Sequence, residues 1–176
     1  SGFYDNINEW ISLGPTPAIN TYYNNVSSRV VSVKYDPSNP EAIYLGAAYG
    51  GVWKTTNSGI NWSAKTDFEI TLSSGAIAID PINTNIIYYG TGEATYFTYS
   101  YSGRGLLKST DAGSSWINYT SGLPSQTYFS RLVIKPGNSN VLLAALGISG
   151  LYKSTNAGES WFQLIPGRCD DVMFSP

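Results

Sequence analysis

The nonapeptide Lys108-Ser109-Thr110-Asp111-Ala112-Gly113-Ser114-Ser115-Trp116 occurs in three versions along this chain. Lys54-Thr55-Thr56-Asn57-Ser58-Gly59-Ile60-Asn61-Trp62 precedes it, and Lys153-Ser154-Thr155-Asn156-Ala157-Gly158-Glu159-Ser160-Trp161 follows. The common pattern is lysine, a hydroxyl residue, threonine, Asp or Asn, a small residue, glycine, two variable positions and tryptophan. Each part suits a tight hairpin turn between two strands. Asn57, Asp111 and Asn156 accept hydrogen bonds from backbone N–H groups inside the turn. Gly59, Gly113 and Gly158 supply a positive φ. Trp62, Trp116 and Trp161 each bury a large ring three residues later. Two of the three copies carry a neutral Asn, whereas a cation site needs more negative charge. The turns therefore read as structural staples, and no metal or cofactor is expected.

The turn glycines lie 54 and 45 residues apart, the period of a four-stranded repeat unit with an insertion in the second copy. A second marker keeps the same period: an alternating apolar strand ending in proline at 33–37, 77–81, 132–136 and 172–176. The residues two and four before each proline are Tyr35 and Val33, Ile79 and Ile77, Ile134 and Leu132, Phe174 and Val172. All are apolar, as one buried strand face requires. The pattern predicts strands over 29–36, 42–48, 51–56 and 61–66 in the first unit. The second unit gives 74–80, 86–90, 105–110 and 115–119, and the third gives 129–135, 141–146, 150–155 and 160–165. No segment has helical periodicity.

The composition limits the classes of function. Of 176 residues only 12% are charged, about half the share of an ordinary domain, and 14 Tyr, 6 Phe and 5 Trp are present. One domain with a sizeable core is expected. The formal charge is −2, and no basic run exists to neutralise a phosphate backbone, which excludes nucleic acid as a partner. Cys169 is the single cysteine and histidine is absent, so no intrachain disulfide, histidine triad or histidine metal site can form. No apolar run is long enough to span a bilayer.

The nine-residue repeats resemble Asp-box (BNR-type) repeats of sialidases, sortilin-like receptors and propeller hydrolases that cut xyloglucan. The resemblance implies an all-β fold, a β-propeller built of four-stranded antiparallel blades. Residues 29–67, 68–120 and 121–167 would be blades one to three, and 168–176 the inner strand of a fourth. Residues 1–28 would hold a closing outer strand and linker, because Asn8-Glu9-Trp10-Ile11-Ser12-Leu13-Gly14-Pro15 is similar to residues 159–166. A propeller closes with four to eight blades. The chain is thus expected to be part of a larger ring, completed by the remainder of its own polypeptide or by other chains.

Further stretches are similar to large secreted BNR/sortilin-like propellers of Bacteroidetes, many of them surface or type IX-secreted proteins. These are Trp10…Leu13-Gly14-Pro15, Arg29-Val30, Asp36-Pro37-Ser38-Asn39-Pro40, Ala42-Ile43-Tyr44-Leu45-Gly46, Gly50-Gly51-Val52-Trp53-Lys54 and Gly90-Thr91-Gly92-Glu93. The resemblance implies a secreted or cell-surface location.

Two groups of residues are candidates for ligand contact. The insertion at 92–104 places Phe97, Tyr99 and Tyr101 on one face of an extended segment and Tyr96 on the other. The first reading is a β-hairpin that extends the unit and packs these rings on a neighbour; the second is a loop whose rings stack on sugar rings or a peptide. Glu93 and Arg104 are expected to pair across its base. Arg131 and Asp171, at equivalent places in successive inner strands, read first as an ordinary ion pair of a partly exposed site and otherwise as a polar rim at one mouth of the central channel.

No catalytic residue is assigned. The xyloglucan-cutting family places a catalytic Asp two residues before a Gly-Gly in blade one, where this chain has Ala47-Ala48-Tyr49-Gly50-Gly51 and so Ala48 at the Asp position. The Arg-Ile-Pro motif of sialidases is also missing, since Arg29 is followed by Val30-Val31. The primary expectation is a non-catalytic exported scaffold for a protein or glycan ligand. The alternative is a sialidase- or xyloglucanase-like glycoside hydrolase with its catalytic groups mostly outside this segment.

Overall fold

Alternating apolar positions, each run closed by a Pro- or Gly-containing turn, fold into antiparallel meanders. A computed structural model of the chain describes residues 18–20, 24–26, 29–94 and 100–175. Strands β1 (Ala18–Asn20) and β2 (Asn24–Val26) pair as a short ribbon. The first four-stranded sheet is β3 (Val30–Asp36), β4 (Asn39–Ala47), β5 (Gly51–Thr55) and β6 (Ser63–Ala64). The second is β7 (Ser74–Ile79), β8 (Ile87–Gly92), β9 (Ser102–Ser109) and β10 (Ile117–Tyr119). The third is β11 (Arg131–Lys135), β12 (Asn138–Ala145), β13 (Leu151–Ser154) and β14 (Phe162–Ile165). Within each sheet, spatial order follows chain order, and no helix occurs among the described residues.

The second sheet runs further than the sequence pattern predicts. β8 reaches Gly92 and β9 begins at Ser102, pairing through Gly92 and Ser102 after a register shift. Gly92 and Gly105 have φ of 89° and 108°, values that let the two strands bulge and continue into the insertion.

Sheets pack face to face, and their contact residues alternate as the pleat demands. Tyr44 and Val52 of the first sheet meet Ile77, Ile87, Tyr89 and Leu107 of the second. The other face of the second sheet, with Ala76, Ala78, Tyr88 and Leu106, meets Leu132, Leu142, Ala144 and Tyr152 of the third. Gly90 makes room at this junction for the Phe129 ring, which a Cβ there would strike.

One expected buried face is open. Ile77 and Leu132 are buried, but the equivalent Val33 and Tyr35 are 49% and 64% exposed. Their side of the first sheet has no packed neighbour among the described residues. In the second and third sheets the same side is covered by the sheet before. The inner strand expected over 168–176 is also not formed within the described residues. Cys169 makes one antiparallel bridge to Gly147, and 170–175 is irregular. An inner strand is hydrogen-bonded only to the second strand of its own sheet, and no such strand is present for it.

The three turns repeat atom for atom. The hydroxyls of Thr55, Ser109 and Ser154 accept the N–H of Gly59, Gly113 and Gly158 at 3.0, 2.8 and 2.9 Å. They donate to Oδ1 of Asn57, Asp111 and Asn156 at 2.9, 2.8 and 2.9 Å. Each Oδ1 also accepts an N–H four residues on, from Asn61, Ser115 and Ser160. The turn glycines have positive φ, and so do the residues before them, Ser58, Ala112 and Ala157, at 56°, 57° and 54°. Small side chains at these positions suit a left-handed backbone.

The indoles are not equally buried. Trp161 is buried edge-on to Phe129, donates to the Gly158 carbonyl at 3.0 Å, and is capped by the segment at Ser121 and Gly122 from the sheet before. Trp116 is half-buried, donates to the Lys65 carbonyl at 2.8 Å and packs on Tyr89. Trp62 is also half-buried, contrary to expectation. Burial depends on the preceding sheet's outer segment folding over the ring, and none precedes Trp62 among the described side chains.

Candidate functional site

At the end of the sheets where β4 turns into β5 and β8 enters the insertion, four side chains meet. Glu93 follows Gly92 at the end of β8, is wholly buried, and forms a parallel bridge with Phe129. Its carboxylate accepts from Arg29 Nη2 with both oxygens, at 2.5 and 2.7 Å. Arg29, immediately before β3, thereby ties the first sheet to the second. Hydrogen bonding to Glu93 raises the Arg29 guanidinium above its ordinary value. The guanidinium also lies 5.9 Å from the ring centre of Tyr49, which packs edge-on against Tyr101 at 4.6 Å. Both tyrosines are exposed.

This arrangement corrects the expected Glu93–Arg104 pair. Arg104 is exposed on β9 and engaged through its backbone, its N–H donating to Thr91 Oγ1 and its carbonyl accepting from Asn118 Nδ2. Glu93 is wholly buried, and the cation that reaches its carboxylate comes from the sheet before. Of the insertion's aromatic candidates, Tyr96, Phe97 and Tyr99 lie outside the described residues. Tyr101 is placed beside Tyr49.

A pocket of about 190 Å³ adjoins Glu93, lined also by Ser100, Tyr128, Ile148, Arg168 and Asp170. Arg168 Nε donates to Asp170 Oδ2 at 2.6 Å. Arg131 Nε and Asp171 Oδ1 lie 3.3 Å apart and both side chains are exposed, so the pair contributes at most about 1 kcal/mol. Burial, and then the Arg131 charge, lowers the Lys34 ammonium on the inner strand of the first sheet.

Ala48 is fully buried, its N–H donating to the Arg29 carbonyl at 2.7 Å and its carbonyl accepting from Ser74 N–H at 3.2 Å. A packed methyl group thus occupies the place where the xyloglucan-cutting pattern has a carboxylate. Among the described residues, no three His, Cys, Asp or Glu side chains are grouped to hold a metal ion. Sequence reasoning missed Arg29 and Tyr49 as partners of the Glu93 site. Its available signal was a charged residue directly after two glycines in Gly90-Thr91-Gly92-Glu93, a place where backbone closeness leaves little room for solvent.

Stacked four-stranded antiparallel meanders, each with the same turn between its third and fourth strands, define a segment of a β-propeller. No family model matches the chain. Among characterised proteins, it is 26% identical over 124 residues to a xyloglucanase of Paenibacillus sp, covering 64% of this chain and 12% of that protein. It is 32% identical over 106 residues to a xyloglucanase of Hypocrea jecorina (strain QM6a), covering 60% of this chain and 11% of that protein. The chain therefore spans about an eighth of the length of these relatives. Of solved structures, an ancestral GH74 enzyme superposes with a TM-score of 0.65 at 28% identity, over 80% of this chain and 19% of that one. The GH74 xyloglucanase of Xanthomonas campestris gives 0.64 at 21% identity, over 85% and 22%, a likeness of fold. No helix among the described residues is long and apolar enough to cross a membrane.

Proposed function

We propose that this chain is three blades, 29–67, 68–120 and 121–167, of a larger exported Asp-box propeller of the glycoside-hydrolase type, contributing glycan-binding surface. The observation that carries this reading is the sequence likeness to two xyloglucanases over more than half the chain. That likeness favours a hydrolase over a scaffold without activity. The repeated turn network supports Asp-box repeats, and the exposed Tyr49–Tyr101 pair beside the Arg29–Glu93 pair supports a sugar-stacking surface. Secretion, including a type IX or sortilin-like setting, belongs to the same reading.

Glycoside hydrolysis needs two carboxylates about 5–10 Å apart, one of them protonated to donate to the leaving oxygen. Glu93, held by both oxygens to a guanidinium, is suited to orienting groups rather than to donating a proton. Ala48 offers no acid. The reacting carboxylates are therefore assigned to parts of the protein outside this chain.

The test is to incubate the full-length protein with xyloglucan, other β-glucans and sialosides, and to measure reducing ends and binding. Release of oligosaccharide is expected, with Tyr49→Ala and Tyr101→Ala each weakening binding roughly tenfold, the loss of about 1.4 kcal/mol of stacking. Binding without release would favour the non-catalytic scaffold, and neither binding nor release of any glycan would sink the carbohydrate reading.

A further inference from the structure

Two sheet-to-sheet junctions in this chain share a lysine-to-carbonyl bond. At the first, Lys54 lies 4.9 Å from the centre of the Tyr44 ring, and its Nζ donates to the Ala112 carbonyl at 3.4 Å. The Tyr44 hydroxyl donates to the same oxygen at 3.1 Å. At the second, Lys108 lies 5.6 Å from the Tyr88 ring and donates to the Ala157 carbonyl at 3.0 Å. Each acceptor is the small, left-handed residue before a turn glycine. The N–H groups of Ala112 and Ala157 are bound within their own sheet, to the carbonyls of Asn85 and Asn140. Such a turn is thus fixed by its own sheet and offers its carbonyl to the lysine of the sheet before.

Lys153 is the third lysine in this series. It pairs with Leu143 across β12 and β13, as Lys54 pairs with Tyr44 and Lys108 with Tyr88. It is half-buried, and its ammonium makes no hydrogen bond or ion pair among the described residues. On its face lie Phe162 and Ile165, 47% and 58% exposed. Both later turn tryptophans also touch the segment leaving the sheet before, through different groups: the Trp116 indole N–H donates to the Lys65 carbonyl, and the Trp161 main-chain N–H donates to the Ser121 carbonyl. The corresponding segment after β14 contains Gly167, where a Cβ would meet no atom of the described residues within 4 Å.

We propose that this face of the third sheet docks a further four-stranded sheet of the same polypeptide that carries the same turn. Lys153 Nζ donates to the main-chain carbonyl of the small residue before that turn's glycine, and its tryptophan reaches the segment at 165–168. The inference rests on the propeller reading above. Consecutive sheets tend to be neighbours in space, and a tethered sheet acts at an effective concentration that a separate chain does not reach. A second copy, offering the Ser58 carbonyl of its first turn, is the competing occupant.

The experiment is lysine labelling with an amine-specific reagent, read by mass spectrometry, on the 176-residue chain and on the full-length polypeptide. In the 176-residue chain Lys153 should react faster than Lys54 and Lys108. In the full-length polypeptide its labelling should fall to their level, and Lys153→Ala should lower the melting midpoint as much as Lys108→Ala does. Undiminished labelling of Lys153 in the full-length polypeptide would overturn the proposal. Protection of Lys153 in the 176-residue chain that grows with concentration would assign the face to a second copy and also overturn it. Failure of the propeller reading itself looks different: Lys54 and Lys108 would label as fast as Lys153.

Discussion

Asp111 is the one charged member of the trio Asn57, Asp111 and Asn156, and its carboxylate is held from its usual 3.8 down to about 2. The Ser115 hydroxyl is the largest cause, followed by the Ser115 N–H and the Ser109 hydroxyl. A carboxyl with a depressed folded-state pKa stabilises the fold above its unfolded value, and that stabilisation disappears as pH falls through the folded value. Asp111→Asn keeps the acceptor oxygen that Asn57 and Asn156 use. It should leave the melting midpoint at pH 7 nearly unchanged and flatten its decline between about pH 4 and pH 2. A decline as steep as the parent's, in melts across that window, would contradict the assignment. The tryptophans give a second residue-scale prediction. Trp161→Ala should cost about 3–5 kcal/mol in urea unfolding, as a buried ring does. Trp116→Ala should cost less, because one flank of that ring remains in water. The reverse order would show that the Ser121 and Gly122 segment does not cover Trp161.

At the scale of elements, the second sheet carries most of the close backbone approaches. Gly75, Gly90, Gly92 and Gly103 all face Phe129, Thr127 or Thr91 at distances that exclude a Cβ. Thr91 and Thr127 knit this region together: the Thr91 hydroxyl donates to the Gly105 carbonyl at 2.7 Å, and the Gly105 N–H donates to Thr127 Oγ1 at 3.1 Å. β8 and β9 can therefore run beyond the usual hairpin length and hold the base of the insertion rigidly while Glu93 is turned inward. Gly90→Ala places a methyl group against the Phe129 ring and should destabilise by about 1–3 kcal/mol, as overpacking does. Pairing it with Phe129→Leu, which vacates that space, should make the two changes less costly together than their separate effects added. Strict additivity in a double-mutant cycle would mean that the two residues are not in contact.

At the scale of the molecule, the Arg29–Glu93 pair joins the first two sheets at the end that carries the candidate glycan surface. Removing the cation leaves a buried carboxylate without its partner, whereas neutralising both leaves neither charge exposed to low dielectric. Arg29→Met should therefore lower stability more than Glu93→Gln, and the double variant should recover part of the loss. Equal losses in urea melts would mean that water replaces Arg29 around Glu93. The repeat of nine residues, its spacing and the proline-ended strands were enough to read three four-stranded sheets and the backbone N–H groups bound by Asn57, Asp111 and Asn156 inside each turn, because those depend on neighbours a few residues away. The same local periodicity could not tell that Val33 and Tyr35 are open while Ile77 and Leu132 are closed, nor that Trp62, Trp116 and Trp161 differ in burial. Those outcomes depend on whether another sheet lies alongside. Glu93 choosing Arg29, 64 residues away, over Arg104, and Lys54 and Lys108 reaching into the turn of the following sheet, were likewise decided only in the tertiary structure. Packing two sheets face to face sets which charge and which carbonyl a side chain meets.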